Sequence, residues 1–333
     1  MNPFYLLLGA AMLVLVIADL LWTTLWVDGG AGPLSSRLSN GVWRLLRRVG
    51  ERHSRLLSLA GPLILTLTLA TWVGLIWFGW TFVFAGGENA LIDTRDGGPV
   101  DWTSRLYYVA YTMFTDGNGD FTPNGSVWQM ASSFTTASGM LFVTLGVSYV
   151  LAVLGAVAEK RAFANSVTGL GLESEEFIRS AWNGEDFHNI DLMLDTISSN
   201  LNQLSEQHKS YPILHYYHSE GEDEASAMAV AVLAESTTIF DKGVPEEYGP
   251  NATLIESTQS STQDYLQTLD NAFIEPAEQA PPPPDLDRLR QAGIPTVSDA
   301  EFAEALEDAD DSRRKLLGAV EADAWYWPSR ENR

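Results

Sequence analysis

The chain has 333 residues, of which 46% are apolar, so it is long enough to form two domains. Its net charge of -23 arises entirely after residue 164, because residues 1–164 hold ten basic and ten acidic side chains, whereas the remainder holds 10 basic and 33 acidic ones. Such an acidic half disfavours binding to nucleic acid and anionic lipid, and it suits a halophilic, salt-rich cytoplasm. The absence of cysteine excludes disulfides and thiolate metal sites.

The first apolar run extends from Phe4 to Trp26, long enough to cross a hydrocarbon core of ~30 Å as a helix. It has neither the basic start nor the small-residue cleavage site of a signal peptide, so we predict an uncleaved transmembrane helix within residues 1–30. Its single charge, Asp19, is expected to be neutral or hydrogen-bonded to hydroxyls such as that of Thr23, and we assign it no functional role.

Two further uncharged runs, from Leu56 to Phe84 and from Trp128 to Ala158, predict a second and a third span. The positive-inside rule predicts that the basic linker between the first two spans is cytoplasmic. The amino terminus is then outside, everything after Ala158 is cytoplasmic, and the chain is a multi-pass protein of the plasma membrane. The basic residues of this linker are Arg37, Arg44, Arg47, Arg48, Arg52 and Arg55.

Between the second and third spans, residues 86–101 are rich in Gly, Asp and Glu and predict a solvated outer loop. The next stretch, Trp102 to Phe114, is aromatic and too short to span a membrane, which favours a half-length re-entrant helix. It leads into the loop Thr115 to Pro123, whose glycines at 117 and 119 permit unusual backbone dihedrals that turn the carbonyls one way.

This loop resembles the filter of the pore-loop potassium channels, whose motif T-V-G-Y-G-D-x-x-P aligns without gaps on residues 115–123. The order of outer helix, pore helix, filter and inner helix also matches that family across residues 57–158. The resemblance implies a homotetramer in the lipid bilayer, with permeant cations bound by the backbone carbonyls of residues 115–118 and the Thr115 hydroxyl. The implied selectivity filter is Thr115, Asp116, Gly117, Asn118 and Gly119, with Asp120 at the outer mouth.

Two filter positions depart from the family motif, since Asp116 stands where the family has Val and Asn118 where it has Tyr. In the family these side chains pack against the pore helix, and an Asp and an Asn cannot supply that apolar and aromatic packing. The Asp116 carboxylates would raise the local negative potential unless burial protonates them or Arg105 neutralises them. We therefore predict conduction of monovalent cations, K⁺ or Na⁺ with Ca²⁺ as a further candidate, without strict potassium selectivity.

Two alternatives to conduction remain open. Asp116, Asn118 and Asp120 have the opening spacing of a calcium-binding EF-hand loop, but Phe121 replaces its Gly and Val127 its bidentate Glu. A calcium-binding loop over residues 116–120 is thus one alternative. The other is a membrane-anchored sensor or scaffold whose pore no longer conducts. Substitutions at two filter positions are expected in a protein that descends from a channel and has lost conduction.

The third span carries many small hydroxyl side chains, which favours the lining of a wet cavity below the filter. Gly139 and Gly146 are candidates for the bending point that the resemblance implies in the inner helix. Close helix packing through small residues explains either glycine equally well. The hydroxyl-bearing residues are Ser132, Ser133, Thr135, Thr136, Ser138, Thr144 and Ser148.

After the third span, apolar residues recur at helical spacing from Glu173 to Phe240, which predicts a cytoplasmic α-helical domain. Consecutive prolines at 281–284 form a break, and a tail helix is expected over Asp299–Asp323, followed by aromatics that dock on the domain or on a neighbouring subunit. His215 and His218 are candidates for a metal-binding effector site, with a structural role favoured. The sequence identifies no ligand for this domain.

The C-terminal half also resembles the cytoplasmic part of a prokaryotic group of three-span ion-channel proteins, in the segment Asn202 to Ser219, the Pro-rich stretch and the Trp-containing tail. No enzyme motif is present, so we expect neither an enzyme nor a cofactor. The predicted fold class is an all-α membrane protein with three transmembrane helices, a re-entrant pore helix and filter, and a cytoplasmic α-helical domain. The predicted domains are 1–30 (first transmembrane helix), 31–55 (basic linker), 56–158 (pore domain), 159–280 (helical domain) and 281–333 (Pro-rich break and tail helix).

Overall fold

The structure, a computed structural model, describes residues 1–27, 30–50, 54–270 and 274–328, so Arg52 of the basic linker lies outside the described residues. Two short strands, β1 (Leu91–Asp93) and β2 (Phe121–Pro123), pair antiparallel, and Ile239–Gly243 forms a π-helical turn. The helices are α1 (Pro3–Leu25), α2 (Pro33–Gly50), α3 (Ser54–Leu57), α4 (Ala60–Ala85), α5 (Trp102–Met113), α6 (Ser126–Thr168), α7 (Ser174–Ala181), α8 (Asp191–Ser210), α9 (Ser226–Thr238), α10 (Ala252–Asp270), α11 (Leu286–Gln291), α12 (Asp299–Glu307) and α13 (Asp310–Ala322).

Within the described ranges, three helical stretches are long and apolar enough to cross a membrane, namely Pro3–Leu25, Ser54–Ala85 and Ser126–Thr168. They coincide with the three predicted spans, and the third continues past the predicted end at Ala158. The all-α membrane fold is therefore confirmed. Charged side chains are rare in these stretches because they are costly in lipid, and the stretches are helical because a helix satisfies its own backbone groups where no water is available.

The chain divides into two compact units. The first unit comprises Met1–Val42 and Pro62–Val153, and the second unit comprises Trp43–Gly61 and Leu154–Arg333. Part of the basic linker therefore belongs to the same unit as the C-terminal half of the chain. The domain boundaries drawn from the sequence stay predictions.

In the first unit, Asp19 of α1 is fully buried and caps the start of α2. Its carboxylate accepts hydrogen bonds from the backbone N–H of Leu34 (2.7 Å), the Ser35 hydroxyl (2.6 Å) and the Trp72 indole (2.8 Å). The first amides of a helix have no intrahelical partner and carry partial positive charge, which favours a carboxylate there. Asp19 thus fixes the turn between α1 and α2. Thr23, the expected partner, instead accepts a hydrogen bond from a backbone N–H of that turn (3.0 Å).

The second unit is organised around one large apolar core that the amphipathic helices supply. Nearly every residue of α9 is buried, because this helix is apolar on all sides and packs against α7, α10 and α13. Trp327 of the tail is buried in the same core, so the tail docks on the helical domain of its own chain.

Burial makes the second unit sensitive to acid. It lowers the pKa of His208 to about 3 and that of His215 to about 4, from an ordinary value of 6.5, and the charge of Lys160 acts in the same direction on both rings. The unfolded chain therefore binds more protons than the folded one below pH 6.5. The stability contributed by the neutral rings is complete above pH 6.5 and is lost as the pH falls towards 3 to 4.

We expect the melting temperature of the full chain in detergent to fall between pH 6.5 and pH 4, and to fall less in His208→Phe. Phenylalanine cannot bind a proton, and its ring preserves the edge-on contact with Tyr265 (5.5 Å between centroids). His188 is exposed, so His188→Gln is the matched control and should keep the wild-type profile. If the melting temperature of His208→Phe depends on pH as that of the wild type does, protonation of His208 is not a cause of the acid sensitivity.

Candidate functional site

The short helix predicted between the second and third spans is α5. Asp101 caps it, because its side chain accepts a hydrogen bond from the backbone N–H of Ser104 (2.7 Å). Twelve residues give a length of ~18 Å, about half of what a full span requires. The helix ends at Met113, and the candidate filter begins two residues later, at Thr115.

The loop after α5 has an alternating backbone. Thr115, Gly117 and Gly119 have positive φ angles of 65°, 51° and 82°, whereas Asp116 and Asn118 between them do not. This alternation turns successive carbonyls to the same side, and glycine adopts the left-handed conformation without strain. Residues 114–119 are exposed, and the carbonyl oxygens of 115–118 accept no hydrogen bond from the described part of the chain. The result is a row of open backbone acceptors.

Two tyrosines of α5 hold this loop. The Tyr111 hydroxyl donates to the carbonyl of Phe121 (2.9 Å) and accepts from its N–H (3.3 Å), while the Asn118 amide donates to the Tyr107 hydroxyl. Asn118 thus has polar contacts in place of the aromatic packing of the family motif. Neither tyrosine was predicted to contact the loop, although a four-residue spacing places them on one face of a helix.

Strand pairing fixes the exit of the loop. β1 and β2 align Ile92 with Thr122, and the Thr94 hydroxyl lies 2.7 Å from the Gly119 carbonyl and 2.9 Å from that of Asp120. The Gly119 carbonyl therefore already has a donor. Residues 115–118 are left with free carbonyls, the same four positions at which cation binding is predicted.

Two acidic residues of the outer loop already have partners within the chain. Arg95 forms a two-pronged ion pair with Asp93 (2.9 and 3.1 Å), and its hydrogen bonds lower the pKa of Asp93 to about 2. Asp101 is engaged as the cap of α5. Within the described residues Arg105 forms no ion pair with Asp116, so the charge of Asp116 is not neutralised in that way by its own chain.

The hydroxyls of α6 divide between two faces. Ser132 accepts from the Tyr108 hydroxyl (2.6 Å), Ser138 accepts from the Trp80 indole (2.9 Å), and Thr135 is fully buried. These side chains pack α6 against α4 and α5, so the expectation that the whole set lines a cavity is too broad. Exposed residues of α6 fall on the opposite face, at Ser133, Ala137, Met140, Thr144 and Ser148.

Gly139 and Gly146, the hinge candidates, lie in an unbroken α6 and have different surroundings. A Cβ on Gly139 would lie 2.0 Å from the Met113 carbonyl oxygen, whereas a Cβ on Gly146 would meet its nearest atom, from Leu69, at 3.6 Å. Gly139 therefore permits the close approach of α6 to the end of α5. Hinge bending at either glycine stays a prediction.

We expect Gly139→Ala to destabilise the protein by ~1–3 kcal/mol, as overpacking does, and to displace the end of α5. Gly146→Ala is the matched control, because its Cβ makes an ordinary contact. Thermal unfolding of both variants in detergent checks this expectation. Equal melting temperatures for the two variants would show that Gly139 does not set the packing of α5.

The two histidines singled out in the C-terminal half have structural surroundings. His218 lies 3.3 Å from the Asp323 carboxylate and stacks on Trp325 at 4.8 Å, while His215 packs edge-on against Trp43. In the portion that the structure describes, no group of three or more His, Cys, Asp or Glu side chains is placed to hold a metal ion. A metal effector site at His215 and His218 stays untested.

Comparisons with known proteins agree with this geometry. A family model described as "Ion channel" matches residues 63–156, which contain α5, the loop and most of α6. Over 331 residues the chain is 45% identical to the "Uncharacterized membrane protein YdjJ" of Bacillus subtilis, covering 99% of this chain and 97% of that protein. No solved structure matches the chain. The chain belongs to the pore-loop ion-channel superfamily and, within it, to one family with YdjJ.

Proposed function

We propose that the protein is a homotetrameric channel that conducts monovalent cations through the loop Thr115–Gly119. One observation carries this proposal, namely the row of open carbonyls at residues 115–118 on an alternating backbone. Backbone acceptors need a partner, and in a membrane pore a dehydrated cation supplies it. The Thr115 hydroxyl adds a further oxygen at the start of the row.

An exposed face of α6 supports the assembly of several chains around one pore. Ser133, Ala137, Thr144 and Ser148 lie on one exposed face of this helix, which follows the filter in the sequence. Four copies of this face around one axis form the wall of the path below the filter, and their hydroxyls suit a hydrated cation. The filter loop itself, exposed in one chain, is then enclosed by its neighbours.

Selectivity follows from the side chains that support the carbonyls. The Asn118 side chain is held by two hydrogen bonds, to Tyr107 and to the backbone N–H of Asp120, and Asp116 adds a negative charge in each chain. A few polar contacts hold the diameter of the carbonyl ring less rigidly than packed aromatic side chains do. The filter therefore discriminates weakly between K⁺ and Na⁺.

The orientation in the membrane follows from the positive-inside rule. The basic residues of α2 and α3 favour a cytoplasmic linker, with the filter towards the outside and the second unit in the cytoplasm of the cell.

The calcium-loop alternative has less support than conduction. The side-chain oxygen Oδ1 of Asn118 accepts a hydrogen bond from the backbone N–H of Asp120 (3.2 Å), and the side-chain NH₂ group of Asn118 donates to Tyr107. Asn118 therefore already uses the oxygen that it would offer to a calcium ion. Together with the missing Gly and Glu positions, this favours a filter over a calcium loop at residues 116–120.

Flux measurements in liposomes test the proposal. We expect the wild type to pass K⁺ and Na⁺ at comparable rates, and Asp116→Val/Asn118→Tyr to pass K⁺ preferentially, because that pair restores the family packing. Asp96→Asn, an outer-loop change outside the filter, is the control and should leave the flux ratio unchanged. An intact tetramer that passes neither ion would overturn the proposal and favour the non-conducting sensor or scaffold.

A further inference from the structure

A cleft in the second unit has none of the candidate filter residues in its lining. It has a volume of about 230 Å³ and is lined by the end of α9, the π-helical turn, one face of α10 and the junction of α12 and α13. Pockets for drug-sized ligands measure ~300–1,000 Å³, so this cleft suits a smaller molecule. Asp241 and Lys242 reach it from the π-helical turn Ile239–Gly243, a rare local geometry that is frequent at functional sites.

Four polar side chains of the cleft lining, Thr237, Thr238, Gln259 and Thr262, offer acceptors. Thr237, Thr238 and Thr262 each donate their hydroxyl proton to a helix carbonyl at 2.9 Å, which leaves only oxygen lone pairs for a ligand. Gln259 donates its amide to Asp241 at 3.3 Å and retains its carbonyl oxygen. A ligand that satisfies these groups must itself bring N–H or O–H donors.

The charged side chains of the cleft also favour a ligand that donates hydrogen bonds. Arg313 lies at its floor, but both of its bonded nitrogens are directed at Glu235 (2.8 and 3.0 Å). Lys242 is paired with Asp241 at 3.2 Å. Asp308 at the cleft has no ion-pair partner in the portion of the chain that the structure describes, which leaves one unpaired carboxylate in the lining.

An anion is a poor fit despite the start of α13 at the rim. Helix amides favour anions, but Asp308, Asp310 and Asp311 stand at this helix end and repel them. The apolar part of the lining, Ala305, Ala309 and Leu316 among others, suits a short hydrocarbon group and disfavours a bare metal ion. We propose that this cleft binds a small organic cation, an ammonium or guanidinium carried on a short apolar chain.

Three probes of equal length and different charge test this inference on the full chain in detergent. Calorimetric titration at constant ionic strength should show saturable binding of butylammonium and no binding of butan-1-ol or butyrate. Constant ionic strength matters because the net charge of -23 attracts any cation weakly. Binding of all three probes, or of none, would overturn the proposal.

Single substitutions test whether butylammonium binds in this cleft. Asp308→Asn should weaken butylammonium binding by about tenfold, the change that corresponds to loss of one favourable charge contact. Asp311→Asn, which removes an equal charge from α13 outside the cleft lining, should leave the affinity unchanged. Ala305→Phe should fill the cleft and abolish binding. Because Asp308 is exposed, its variant does not threaten folding, and unchanged affinity in Asp308→Asn would contradict the assigned site.

Discussion

Replacing Gly119 with alanine is expected to lower cation flux by at least about tenfold. Gly119 has a φ angle of 82°, and a side chain in this left-handed region costs ~1–2 kcal/mol per chain. In the proposed tetramer this strain arises in each of four chains, and the total strain energy exceeds the ~1.4 kcal/mol that corresponds to a factor of ten. We expect relief of the strain to rotate the peptide and to move the row of carbonyls away from the axis of that tetramer.

Gly125→Ala is the matched control for this prediction. Gly125 has a φ angle of 86°, and a Cβ added there would meet no atom within 4 Å, but this glycine lies after β2 and outside the filter. Both variants should therefore lose similar stability, while only Gly119→Ala loses flux. Liposome flux and melting temperature, measured side by side, separate filter geometry from general strain. Equal flux in the two variants would remove the filter from the conduction path.

Removing the positive charge of Arg313 should produce the largest loss of stability in the second unit. Arg313 and Glu235 form a buried two-pronged ion pair, and Arg313 also donates to the carbonyl of Pro282 (2.7 Å). Burial raises the pKa of Glu235, and the guanidinium opposes that rise. Arg313→Met leaves a buried carboxylate unpaired, which costs ~3–5 kcal/mol and lowers the melting temperature by roughly 10 °C.

The double variant Glu235→Leu/Arg313→Met tests the physical cause. With both charges removed and the volume retained, stability should return close to the wild-type value. Lys209→Met breaks the exposed pair with Glu206 (2.7 Å) and should cost less than ~1 kcal/mol. If the double variant is as unstable as Arg313→Met, lost packing rather than an unpaired charge is the cause.

The sequence was sufficient for the three spans and the short helix, whereas a filter at residues 115–119 stays a prediction. Each rests on a local pattern: uncharged length for the spans, an aromatic stretch too short to span a membrane for α5, and glycines at 117 and 119 for the loop. Local patterns survive in the fold because a membrane helix satisfies its own backbone.

Contacts between distant parts of the chain could not be predicted from the sequence. The capping of α2 by Asp19 and the support of Asn118 by Tyr107 depend on which side chains the fold brings together. The same holds for the hydroxyls of α6, where periodicity alone does not tell which face meets the neighbouring helices. Gly139 was recognised as a candidate, but only the position of the Met113 carbonyl shows the close approach that requires a glycine there.

Single-channel recording in planar bilayers tests the central claim most directly, and the absence of native cysteine gives a clean background. We predict unitary cation currents in the wild type that a cationic thiol reagent leaves unchanged. In Thr144→Cys, on the exposed face of α6, the same reagent should block the currents, whereas buried Thr135→Cys should resist it. An absence of unitary currents in the wild type, or currents that persist in modified Thr144→Cys, would contradict a pore lined by the filter loop and α6.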